Sequence, residues 1–527
     1  MVRFFAVLIA AASLTAAVNY KAEGKAWWAH IQYLASDAME GRDTGSEGYR
    51  KAAEYVAEAF AKDGLKPGGE EGYFQPVKFD VKKIVETRSS LALIRGGERE
   101  PLKLGDDAVI GLAGDAGGDT EAEAVFAGYG LKIPEAHYDD LAGVDLHGKI
   151  AVYLQGAPKT IPGALAAHYQ SLGERWKALK AAGAIGMATI PNPASSDIPW
   201  ERGVLSRFMP SMSLAGDAAL DPAAGLKLAL RVNPASADRF LRGTGHTMAE
   251  IFALAKSDGA MPHFPLPVRV AAHVTVERSK AESPNVVGIL PGADPKLKGQ
   301  YVVFSAHLDH VGVGAPIRGD SIYNGAMDDA SGVASVLETA RAMAKRHLHP
   351  RRSLIFLTVC GEEKGELGSQ YFAAHPTVPL SGIAADINLD MFLPLVPLRA
   401  LEVQGLDEST LGGDVRAAGA KFGVEIEADQ HPQRNGFIRS DQYSFIKRGV
   451  PSLAFKFGFA PGTAEEKIFK DWLTNRYHAP SDDLEQPVNL EAAAKFDEVI
   501  LDLSMRVANE PERPEWKAGS FFRRFAR

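Results

Sequence analysis

Cysteine is almost absent: Cys360 is the only one in 527 residues. No intramolecular disulfide can form, so stability must come from packing, which excludes a small disulfide-stapled ectodomain and suits a bacterial periplasm or secretion. Cys360 stands just before Gly361-Glu362, but no partner marks it as a nucleophile, and a buried strand-end residue is the expected role. Long apolar runs are missing too. Past residue 18 no segment reaches the ~20 apolar residues of a membrane helix, so no stable membrane insertion is expected. Positive charge is not in excess: the formal net charge is -8 with 24% charged residues. With no basic patch interleaved with aromatics, nucleic acid is not an expected partner. Internal repeats and low-complexity tracts are also lacking.

What is present begins with MVRFFAVLIAAASLTAAV, where Arg3 precedes an apolar run and Thr15 and Ala17 are small residues placed for cleavage. Residues 1–18 read as an export signal, giving an exported protein, periplasmic or secreted in a bacterium. The remainder is too long for one ordinary core, and 46% hydrophobic residues are ample for two.

Apolar residues at helical spacing predict a helix over 48–63, with Gly64 and Pro67-Gly68-Gly69 ending it. The preceding EGRDTGSEG reads as a polar connector near a surface. Over about 105–280 the texture shifts to short strands, AEAVFAGYGL, KIAVYL, IGMATIP and LKLALRV, with one helix near 171–182. This block looks like an inserted domain. Later, NVVGILPG, QYVVFSAHLDH, RRSLIFLTVCGEE, IAADINLDM and VPSLAFKFG read as buried strands, and 332–345 and 492–507 as helices. The expected fold is α/β: a mostly parallel mixed sheet flanked by helices, its working residues beyond the carboxyl ends of the strands. The expected borders are 19–104 and 286–510 for this discontinuous domain and 105–285 for the insert. A tail, 511–527, is expected to fray from Trp516 onward.

His307 and Asp309 in FSAHLDH, Asp328 in GAMDDASG, Glu362-Glu363 in CGEEKGELGS, Asp390 in INLDM and His478 in RYHAPSDD are metal-ligand types beside strand-like or turn-like segments. Zinc favours such mixtures of imidazole and carboxylate, and two ions would activate water for hydrolysis. Any one of them could be structural. An Asp before Ala-Ser-Gly often caps a helix, so capping competes with ligation at Asp328 or Asp329. The joint pattern favours a site.

From LASDAMEGRDTGSEGYRKAAEYVAEAFAKDGLKP through HLDHVG, NGAMDDASG, EEKGELGS, NLDM and RSDQYSFIKRGVPSL to YHAPSDD, the chain resembles the M28 family of zinc metallopeptidases, in the subgroup with an inserted PA (protease-associated) domain. Met327, Asp329, Cys360-Gly361 and Glu366 depart from the surroundings common in that family without replacing a ligand. The resemblance implies an α/β/α sandwich holding two zinc ions. His307 and Asp390 would bind one, Glu363 and His478 the other, and Asp328 would bridge them, as a carboxylate with two oxygens can. It implies that Glu362 is the general base, that Asp309 accepts the other N–H of His307, and that Tyr477 hydrogen-bonds the oxyanion. Asp482 and Asp441 are weaker candidates for orienting His478.

The implied activity is that of an aminopeptidase acting on peptides with a free N-terminus. Alternatives within the family are a carboxypeptidase, for which Arg434 and Arg439 would supply cationic recognition, and a glutaminyl cyclase. A non-catalytic, receptor-like binding protein is the alternative of another class. In the insert, GYG, Tyr138-Asp139-Asp140 and DLHGKI before AVYL carry the PA resemblance. His147 and His168 there are expected to be surface or packing residues, and the insert is expected to overhang the crevice as a wall or lid.

Overall fold

The computed structural model describes residues 18–193, 198–431, 434 and 436–526. The export signal over 1–18 lies, apart from Val18, outside the described residues. Among the described residues no helix is long and apolar enough to cross a membrane.

Two sheets with separate cores divide the chain. The larger sheet has ten strands, in the order Ser211–Leu214, Phe74–Ile84, Val276–Leu290, Ser353–Val359, Tyr301–His307, Ile383–Asn388, Ser452–Gly458, Ala400–Gln404 and Glu425–Ala428, with Lys66–Pro67 added beside Val276–Leu290. Its centre is parallel: Tyr301–His307 runs parallel to both Ser353–Val359 and Ile383–Asn388, and the latter to Ser452–Gly458. Both faces are dry, which explains why these strands read as continuous apolar runs rather than alternating ones. Val302, Phe304, Leu354 and Phe356 point to one core, whereas Val303, Ile355, Leu357 and Val359 point to the other.

Helices Tyr20–Leu34, Glu47–Lys62, Ser331–Lys345 and Leu490–Asn509 cover the first face. Phe372 of Leu367–Ala374 and Phe445 of Gln442–Ile446 cover the second. Ser331–Lys345 buries Val333, Val336, Leu337, Ala340 and Met343, the three- and four-residue spacing of one helical face. Trp27 locks the first helix to it by donating Nε1–H to Ser331 O at 3.2 Å and Ser335 Oγ at 3.0 Å.

The second sheet has eight strands, from Glu98–Leu102 at one edge to Ala108–Gly111 at the other, with Gly118–Ala127, Ile150–Leu154 and Gly186–Ile190 at its centre. The strands expected there form, and helix Leu172–Ala181 starts behind Ser171, whose side chain accepts from Glu174 N. The borders differ from those expected at 105 and 285. The sheet already includes Ser90–Arg95 and ends with His263–Val274, while Val276–Leu290 belongs to the larger sheet. No shift in composition marks either crossing, because one long ladder, Ile84↔Val276 through Phe74↔Val286, carries the chain out and back side by side. Within the insert, Ser211–Leu214 returns to pair with Phe74–Ile84.

The tail does not fray. Trp516 and Phe522 are buried with Phe437, Ile438, Tyr443, Ile446 and Ala167 of the insert, and Trp516 donates Nε1–H to Gly449 O at 3.0 Å. Its aromatic residues are core, which a terminal position conceals in the sequence. His168 joins this cluster, its Nδ1 2.6 Å from the Tyr443 hydroxyl, and His147 is exposed, so neither is near a ligand set.

Candidate metal centre

Three parallel strands end on one edge, and the ligand-type residues lie at or just beyond their carboxyl ends. His307 is the last residue of its strand, Glu362 and Glu363 follow Ser353–Val359, and Asp390 follows Ile383–Asn388. Asp328 and His478 come from loops. The Asp328 peptide is fixed by Asp482, whose carboxylate accepts from Met327 N at 2.9 Å and Asp328 N at 3.0 Å. Asp482 therefore positions Asp328, not His478. Asp441 is buried, its carboxyl pushed well above the usual range by burial and by Glu366 and Asp390.

The donor atoms form two groups that share Asp328. His307 Nε2 lies 3.2 Å from Asp328 Oδ1 and 3.5 Å from Asp390 Oδ1. His478 Nε2 lies 3.2 Å from Asp328 Oδ2 and 3.2 Å from Glu363 Oε2. Each oxygen of Asp328 thus faces a different imidazole. Capping falls instead to Asp329, whose Oδ1 takes the N–H of Gly332, 2.9 Å away in the first helical turn. The neighbouring aspartates divide the two tasks that compete in the sequence. Gly332 is required there, since a Cβ would stand 1.6 Å from Leu389 O.

The site fits divalent cations electrostatically. Burial opposes charge on His307, yet Glu362, Asp328 and Asp390 raise its pKa well above the usual value; Glu363 and Asp328 do the same for His478. Burial raises the Glu362 carboxyl, and Glu363, Asp390 and Asp441 push it the same way. Asp328 Oδ2, Glu363 Oε1 and Asp390 Oδ1 are buried without a hydrogen-bond partner among the described residues. Buried charged oxygens left unpaired are costly, and metal coordination is a standard remedy. The His, Asp and Glu donors match zinc chemistry.

Asp309 does not play the role expected of its side chain. His307 Nδ1 is 3.0 Å from the Asp309 carbonyl, while the Asp309 carboxylate is 4.0 Å away. That carboxylate accepts instead from Glu362 N at 3.2 Å and Glu363 N at 3.4 Å. It holds the glutamate pair, because the turn after His307 aims its carbonyl rather than its side chain at the imidazole. Tyr477 lies against His478, ring centroids 4.1 Å apart with the planes tilted by 41°, and its hydroxyl makes no hydrogen bond among the described residues. His478 is in the left-handed backbone region, φ 52, a conformation costing about 1–2 kcal/mol for a residue with a Cβ.

Two residues central to this geometry escape the sequence reading. Arg42, in the loop read as a surface connector, is fully buried. Its guanidinium donates to Leu308 O at 2.9 Å, Leu34 O at 2.6 Å, Asn324 O at 2.7 Å and Gly325 O at 2.9 Å. One side chain thus ties the turn after His307 to the loop before Asp328, and burial lowers its pKa to about 10. His310 is the second: it is fully buried, with Nδ1 2.8 Å from Glu363 Oε1. The HLDH string in QYVVFSAHLDH was a signal available for it.

A cavity of about 110 Å³ opens beside Asp390 and Tyr477, walled by Met391, Phe457, Phe469 and Leu473. Arg434, Arg439 and Lys456 reach it, as do Glu402 and Asp429. A larger cleft, about 960 Å³, runs between the two units, from Lys364–Leu367 next to the ligand loop to Leu172–Arg175 and Ser211–Leu214 of the insert.

This fold is shared with solved hydrolase structures. The aminopeptidase from Aneurinibacillus sp. strain AM-1 is 22% identical, with a TM-score of 0.56 over 93% of this chain and 95% of that one. BSAP, a zinc aminopeptidase from Bacillus subtilis, is 18% identical, with a TM-score of 0.51 over 93% and 96%. Residues 285–504 match the model of peptidase family M28. Leupeptin-inactivating enzyme 1 of Streptomyces exfoliatus is 30% identical over 179 residues, which span 34% of this chain and only 36% of that protein.

Proposed function

We propose that the protein is a zinc-dependent aminopeptidase that binds two ions, one between His307, Asp328 and Asp390 and the other between Asp328, Glu363 and His478. The carrying observation is the sharing of Asp328, one oxygen to each group. Zinc held there would supply Lewis acidity and lower the pKa of water. Glu362, held by the Asp309 carboxylate, takes the proton from the attacking water and delivers it to the leaving amine. Tyr477 is free to donate its O–H to the oxyanion. Both solved structures named above are described as aminopeptidases, one of them as a zinc enzyme, which supports the reading.

The small cavity suits the first residue of the substrate. Its apolar wall takes a side chain, and Asp390 and Asp429 supply negative charge for a free amine, joined by Glu402 above about pH 7, where burial and Asp429 have pushed its pKa. Arg434, Arg439 and Lys456 line the same cavity and are the groups a carboxypeptidase would use; the free-amine reading draws its support from the apolar wall, the nearby carboxylates and the aminopeptidases that share the fold. The residue preference is tested with a panel of aminoacyl substrates, their acetylated forms and carboxyl-blocked dipeptides. Free-amine substrates are expected to be hydrolysed, acetylated ones at least about 100-fold more slowly. Activity is expected to vanish on chelation and return with zinc. Indifference to acetylation combined with loss on carboxyl blocking would reverse the choice.

The same reading places the enzyme outside the cytoplasm, on the strength of residues 1–18, and makes the insert a PA-like wall on the large cleft. Because Ile84 pairs with Val276, a short turn can replace residues 85–275 without breaking the ladder between the two long strands. The shortened protein is expected to gain activity on long peptides relative to dipeptides. An unchanged ratio in a folded deletion would remove the wall while leaving the metal centre intact.

A further inference from the structure

His310 is fully buried, and neither of its ring nitrogens has a hydrogen-bond partner among the described residues. Leaving a buried polar group unsatisfied is costly, and in a folded protein such a group calls for an explanation, an ion among them. Nδ1 is 2.8 Å from Glu363 Oε1 and 3.8 Å from Asp328 Oδ2. The short contact does not satisfy the ring, because the oxygen is out of line with an N–H, and both carboxylate oxygens are likewise without partners. Ligand atoms of His310, Asp328 and Glu363 all lie within 4.8 Å of one another. The backbone is shaped to the ring: a Cβ on Gly325, at φ 63, would meet the imidazole at 2.5 Å. The ring of His478 stands edge-on to it, centroids 5.8 Å apart.

We propose that His310 is a further protein ligand of the ion shared by Asp328, Glu363 and His478, a reading that rests on the dinuclear site proposed above. The two positions are then unequal: one has His307, Asp328 and Asp390, and the other has His310, His478, Asp328 and Glu363. The four-donor position holds its ion more tightly and is the last to be emptied.

The test is a competitive titration of metal-free protein with zinc against a chromophoric chelator, for wild type and His310→Phe, which keeps a ring and removes both nitrogens. Wild type is expected to bind two equivalents. The variant is expected to lose at least about 100-fold in affinity for one of them, with the other little changed. Two equivalents at wild-type affinity in the variant would overturn the proposal. Should the variant not fold, wild type loaded with cobalt(II) decides by proton NMR. Three hyperfine-shifted exchangeable imidazole N–H signals support ligation by His307, His310 and His478, and two overturn it. Wild type that takes up no metal would bring down the dinuclear reading as well, whereas two tight equivalents with two such signals would remove His310 alone.

Discussion

Glu362→Gln is expected to lower kcat by about 10²- to 10⁴-fold while metal content stays at the wild-type level. The amide keeps the size of the side chain and its place on the loop, which is set by the bond from the Glu362 N–H to Asp309 Oδ1 at 3.2 Å. It cannot take a proton from water. The carboxylate it replaces is raised well above the usual range, by burial first, with His307 opposing and Glu363, Asp390 and Asp441 adding to the rise. It is thus the one carboxylate of the glutamate pair suited to moving a proton, whereas Glu363, which faces His310 and His478, is held well below the usual range. The measurement is kcat on a free-amine substrate with metal quantified in the same sample. Near-normal turnover with normal metal content would end the general-base assignment.

Arg42→Met is expected to destabilise the fold by about 3–5 kcal/mol and to weaken metal binding. Methionine fills much of the volume but leaves the carbonyls of Leu34, Leu308, Asn324 and Gly325 buried without their donors. Each such group costs about 1–3 kcal/mol, and partial relaxation keeps the sum below the simple total. Two of those carbonyls flank ligand segments, Leu308 beside His307 and Gly325 before Asp328, so the two halves of the site lose their common brace. Arg42→Lys is expected to recover little, since a single ammonium cannot reproduce a planar fork. Denaturant unfolding of the metal-free proteins, followed by zinc titration, checks both effects. Wild-type stability in Arg42→Met would show that the clamp contributes nothing.

The ligand-type residues were legible because strand ends and chemistry coincide in the sequence. Runs such as QYVVFSAH and SLIFLTV are continuous and apolar since both faces of the sheet are covered, and the first polar residues after them necessarily stand at the sheet's edge. His307, the glutamate pair and Asp390 follow from that alone. The competition between capping and ligation at Asp328 and Asp329 was not decidable from order, because either carboxylate precedes the helix. Three-dimensional placement separates them: Asp329 turns to Gly332 N, and Asp482 pins the Asp328 peptide.

Arg42 illustrates what local sequence hides. In a loop with Glu40, Asp43 and Ser46 it reads as a solvated cation, and only the approach of carbonyls from distant segments makes its burial favourable. The Asp309 side chain departs from its expected place for a related reason. Spacing puts it two residues from His307, but the turn between them sends a carbonyl to the imidazole and the carboxylate to the glutamate loop.

The sequence by itself determined the α/β class, the order of the ligand-bearing strand ends and the chemical types that meet there, since periodicity and side-chain chemistry are local properties. The tertiary structure alone decided which oxygen of Asp328 faces which imidazole, where the chain crosses into the insert, that the aromatic tail is core, and that Arg42 and His310 lie at the site. Those outcomes depend on contacts between residues hundreds of positions apart, whose energies no local pattern contains.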